Sequence, residues 1–83
     1  MGAIMDFKLI LTNIARALVD EPDAVKVEQL ENENENEIDL VLTVAEGDTG
    51  MVIGRHGRIA KAIRQLMKAA AGTCGKHVTV EIK

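Results

Sequence analysis

Gly54-Arg55-His56-Gly57 sets two glycines three positions apart, with Arg58 and Lys61 following on the next turns of a helix-like stretch. No Asp or Glu occurs between Asp48 and Glu81, so these cations have no acid near them in sequence. Glycine tolerates positive φ and has no side chain to obstruct an approaching group. The unpaired N–H groups at a helix N-terminus, with the positive end of its dipole, favour an anion. A loop of this kind ahead of a basic helix suits a phosphate-rich backbone. The candidate contacts are Gly54, Arg55, His56, Gly57, Arg58 and Lys61.

Covalent and acid–base chemistry find little to use. His56 has no carboxylate or serine near it in sequence that could form a dyad, which makes it a loop contact. His77 alternates outward on a strand pattern. Two histidines and one cysteine give no zinc spacing, and a single cysteine closes no intramolecular disulfide. Cys74 therefore reads as a reduced thiol in a loop. No Gly-Lys-Ser/Thr follows the first glycine at the spacing a P-loop needs. Glu31 to Glu37 (ENENENE) lacks the ligand pattern and central glycine of an EF-hand. The chain is expected to be no enzyme and to hold no metal or cofactor.

Charge separates along the chain. Residues 1–48 carry 3 basic and 12 acidic side chains, a net −9, whereas residues 49–83 carry 7 and 1, a net +6. The overall charge of −3 thus conceals a basic second half, and the local field governs an anionic partner.

The elements that position the loop follow from periodicity. Eighty-three residues, 47% of them apolar, suffice for one domain spanning 1–83 with one core. Phe7, Ile10, Leu11, Ile14, Ala17 and Leu18 recur at helical spacing and predict a helix over 4–19. It stops at Pro22, which disfavours helical geometry in the residue before it. Val25, Val27 and Gln29 alternate with polar residues as one strand, and Ile38, Leu40, Leu42 and Val44 as a second. The acidic segment 31–37 between them reads as a solvated hairpin loop. A short helix over 50–53 follows, with Asp48 or Thr49 as N-cap. Ile59, Ala62, Ile63, Leu66, Met67 and Ala70 then mark the apolar stripe of a longer helix, with Gly72 suited to its C-cap. Val78, Val80 and Ile82 form a third strand. The order α-β-β-α-α-β predicts an α+β fold: a three-stranded mixed sheet covered on one face by helices.

Val52-Ile53-Gly54-Arg55-His56-Gly57-Arg58-Ile59 resembles the signature of a KH domain, whose GxxG loop clamps about four nucleotides of a single strand. The element order resembles the type II, prokaryotic form over nearly the whole chain. "LVDEPDAVKVE", "GRIAKAIRQLMKAAA" and "HVTVEIK" are similar to the small bacterial single-KH proteins of the KhpA family. The resemblance implies single-stranded RNA binding, with bases in an apolar groove that Ile53 and the second strand would line. It also implies a homodimer or a heterodimer with a larger KhpB (Jag-type) KH protein, in RNA-chaperone or post-transcriptional work. Some members of the family influence cell elongation and division. Arg55 stands where the family often has lysine, which keeps the charge and adds a fork of donors. Met51 stands where relatives often carry a basic residue.

Phe7 is the one aromatic residue, which argues against domains that stack bases on aromatic platforms. A single copy is therefore expected to bind weakly and to gain avidity by association. The alternative is a dimerising adaptor whose loop contacts protein instead of RNA. No run of about 18 apolar residues spans a membrane. The N-terminus resembles neither a signal peptide nor a myristoylation site. The expected location is the cytoplasm.

Overall fold

Asp6 opens the first helix: its Oδ1 accepts the Leu9 N–H at 3.1 Å, a cap that contributes about 1 kcal/mol. In the computed structural model, which describes residues 6–83, helix α1 runs Phe7–Leu18. Residues 4 and 5 of the expected helix lie outside the described residues. The buried row of α1 is Phe7, Leu11 and Ala15. Ala17 and Leu18, expected on that face, are exposed, because the row reaching the core follows the i+4 line.

Pro22–Ala24 makes a single 3₁₀ turn, and strand β1 (Lys26–Leu30) then pairs antiparallel with β2 (Glu37–Thr43), Val27 facing Leu42. Between them the asparagines fold an otherwise self-repelling loop. Asn32 and Asn34 accept the N–H two residues on, each at 2.9 Å. Helices α2 (Thr49–Ile53) and α3 (Arg58–Gly72) form the crossover to β3 (His77–Ile82), which lies parallel to β2 with Ile38 facing Val78. The sheet order is β1-β2-β3, so β2 is central; the sheet is mixed, as the element order predicts.

Val27, Ile38, Leu40, Leu42, Val78 and Val80 face α1 and α3 in one core. Val41 points to the other side yet is buried, since it sits mid-strand between Glu28 and Glu81 in register.

Three expectations are corrected by packing. On α3 the buried row is Ala60, Ile63, Met67 and Ala71, while Leu66 is 57% exposed. Small alanines let that row approach the sheet; Ile59 and Ala70 still pack against the core from its margin, while Ala62 and Leu66 are exposed. Gly72 is still helical; the left-handed residue that ends the chain reversal is Gly75 (φ 71°), and the Lys76 N–H donates to the Ala71 carbonyl at 2.9 Å. Asp48 occupies the N-cap position of α2 but makes no side-chain cap. It is only 4% exposed, and its Oδ2 accepts the Glu21 N–H at 2.9 Å. A buried carboxylate needs such a donor, and this one ties the α1–β1 connection to the base of α2.

Candidate nucleic-acid interface

Helix α2 ends at Gly54, whose φ of 76° and ψ of 173° are essentially open to glycine alone. A Cβ at this position would stand 2.7 Å from Ile59 Cβ and 2.9 Å from Ile59 N, so the start of α3 passes directly over it. The first glycine is thus required twice, by conformation and by space.

Arg55–Gly57 forms one tight turn closed by the Gly57 N–H donating to the Gly54 carbonyl at 3.1 Å. His56 is left-handed (φ 56°, ψ 25°), a strained choice that histidine tolerates better than most residues. Gly57 is left-handed as well (φ 73°), but nothing lies within 4 Å of where its Cβ would be. The empty space beside the second glycine leaves room for a ligand backbone.

Gly57 is the N-cap of α3 and offers no side chain to its N–H groups, and the first turn holds no acid. The positive end of a 15-residue helix is therefore open beside the loop. Arg55, His56, Arg58 and Lys61 are exposed around it, Ile53 is 38% exposed just before it, and Gly54 and Gly57 are half-buried. Among the described residues, ion pairs join Arg16 to Asp23 and Lys26 to Glu28, and none involves the loop or α3. All seven residues singled out in the sequence thus fall on one continuous run from the end of α2 into α3.

Helix α3 presents three faces, since each residue turns by about 100°. Ala60, Ile63, Met67 and Ala71 meet the core. Ile59, Ala62 and Leu66 line an apolar groove of about 330 Å³ with Ile14 and Leu18 of α1. Lys61, Arg64 and Lys68 turn to the side away from that groove, and Arg58 falls between the two sides at the start of the helix. There the Arg64 Nε–H donates to the Val80 carbonyl at 3.2 Å. Sequence alone does not single out Arg64, because its partner lies 16 residues away and only the fold joins them.

Residues 8–82 match the family described as KhpA/KhpB, KH domain. The chain belongs to the KhpA/KhpB KH-domain family. The chain covers nearly the whole length of the relatives it matches. It is 52% identical to the RNA-binding protein KhpA of Clostridium acetobutylicum, covering 90% of this chain and 97% of that protein. It is 51% identical to that of Caldanaerobacter subterraneus (88% and 95%) and 42% identical to that of Bacillus subtilis (88% and 88%). Among solved structures it is similar to Era in complex with MgGDPNP and nucleotides 1506–1542 of 16S ribosomal RNA, with a TM-score of 0.66 at 20% identity. That similarity covers 99% of this chain but 35% of the Era chain, so it bears on the fold of one KH-sized part. The type II order α-β-β-α-α-β is the observed one.

Proposed function

We infer that this KH domain binds single-stranded RNA, holding two or three phosphates at Gly54, Arg55, His56, Gly57, Arg58 and Lys61 while bases lie beside Ile53. The observation that carries the reading is the uncapped N-terminus of α3 behind an open, left-handed Gly57. A backbone anion can approach there without displacing any side chain, and among the described residues no carboxylate pairs with the neighbouring cations. The names of the relatives, RNA-binding proteins throughout, support it.

The domain works as an RNA chaperone or post-transcriptional regulator, as a homodimer or with a KhpB/Jag-type partner. Weak binding by one aromatic-free site makes association useful. The groove lined by Ile14, Leu18, Ile59, Ala62 and Leu66 supports it, because a large leucine that is 57% exposed gains by being covered. Lys61, Arg64 and Lys68 turn away from that groove, so a protein partner there leaves them open to RNA.

A salt titration tests the RNA reading. With two or three phosphates contacted, log affinity for single-stranded RNA falls against log salt with a slope of roughly −1.4 to −2.1. A slope near zero removes the phosphate clamp.

A further inference from the structure

We propose that Arg64 is a specificity-determining residue, reading a base that presents two adjacent hydrogen-bond acceptors from its station at the open edge of β3. This rests on the RNA-binding reading and deepens it.

The station follows from the sheet. His77 and Lys83 send their N–H groups to Asn36 and Leu42 along the β2 side, at 2.8 and 2.9 Å. Because neighbouring residues of a strand alternate, Val78, Val80 and Ile82 turn their backbone groups to the unpaired edge. Arg64 takes the carbonyl of Val80, the middle one of these, through Nε–H. One of its five donors is then used, and the two terminal amino groups remain as a planar pair. Among the described residues no carboxylate pairs with them. Anchoring to a strand at one end and to α3 at the other removes rotamer freedom before any ligand arrives.

Position favours a ligand base over a further phosphate contact. Arg64 follows Arg58 by six residues, about 9 Å along the helix axis, so a strand of about four nucleotides held at the loop reaches it. The neighbouring strand edge offers backbone hydrogen bonds at the same level. A fork of two parallel N–H donors matches adjacent acceptors, as at O6 and N7 of guanine or O2 and N3 of cytosine. Adenine and uracil alternate donors with acceptors along their edges and offer no such pair.

The test uses uridine-only single strands carrying one central guanine, cytosine, adenine or uracil, titrated into the whole chain and into Arg64→Lys. The wild type is expected to prefer the guanine or the cytosine strand by roughly 5- to 150-fold, the range of a good bidentate pair. Which of the two gains identifies the base. In Arg64→Lys, which keeps the charge and loses the fork, the preference falls to within about 2-fold while the all-uracil strand still binds. A partly unfolded variant weakens every strand equally, so the ratio remains decisive. Equal binding of all four strands by the wild type, or a preference that survives in Arg64→Lys, overturns the assignment. Binding to none of them overturns the RNA reading itself, and the assignment with it.

Discussion

The two glycines of the loop differ in what surrounds them, and alanine at each measures that difference. At Gly54 the backbone sits in a glycine-only region, which costs an alanine about 1–3 kcal/mol. Its Cβ also meets Ile59 Cβ at 2.7 Å and Ile59 N at 2.9 Å. Relieving a contact with backbone requires α3 to shift against α2, and overpacking of this kind costs about 1–3 kcal/mol more. At Gly57 the left-handed conformation costs an alanine about 1–2 kcal/mol, and no clash adds to it. Both variants recover about 0.4–1 kcal/mol from a stiffer unfolded chain. Gly54→Ala should therefore lose about 1–5.6 kcal/mol and Gly57→Ala about 0–1.6 kcal/mol, the difference being the clash with Ile59. For a domain of this size, 1 kcal/mol shifts Tm by about 4–8 °C. Urea and thermal unfolding followed by far-UV circular dichroism separate the two cases. Equal midpoints, or a Gly57→Ala protein less stable than Gly54→Ala, would refute this geometry.

Acid and association give two further expectations. The Thr79 hydroxyl at 2.6 Å, then the Asn32 amide at 2.9 Å, with His77 adding to both, hold the Asp39 carboxyl below the usual aspartate range. A lowered pKa contributes stability that is present above the ordinary value, about 3.9, and lost as pH falls through the folded value. Wild-type Tm should therefore drop more steeply than that of Asp39→Asn as pH falls below about 4, and parallel profiles would contradict the link. Leu66→Asp should leave monomer stability within about 0.5 kcal/mol, since the side chain is exposed, yet shift sedimentation from a dimer to the 9.0 kDa chain. A wild type that sediments as a monomer at micromolar concentration, with and without RNA, removes the homodimer.

The element order and the loop were legible because their signals are local. Alternation over 38–44, the apolar rows near 59–70 and the spacing of Gly54 and Gly57 each occupy a single stretch of chain. The choice between rows on α3 was not, because Ala60 and Ala71 carry little hydrophobic weight although their smallness suits the face against the sheet. By weight alone Leu66 belongs inside, and it is outside. Asp48 read as a cap because capping is the usual role of an aspartate before a helix, whereas its actual donor, the Glu21 N–H, lies 27 residues earlier. Gly72 and Gly75 both fit a helix end, and only backbone geometry separates them. Arg64 required the fold, since nothing in its neighbourhood of sequence points to Val80.

The clamp itself is tested by the double substitution Arg55→Asp with His56→Asp. Both side chains are exposed, so stability should change by within about 0.5 kcal/mol, and aspartate beside a helix N-terminus can add about 0.3–1 kcal/mol. Aspartate also tolerates the left-handed conformation of position 56. Two negative charges would then face the phosphates. The account predicts an unchanged melting profile with binding to single-stranded RNA abolished. A folded double variant that binds RNA as tightly as the parent would contradict it, and the protein-adaptor reading would take its place.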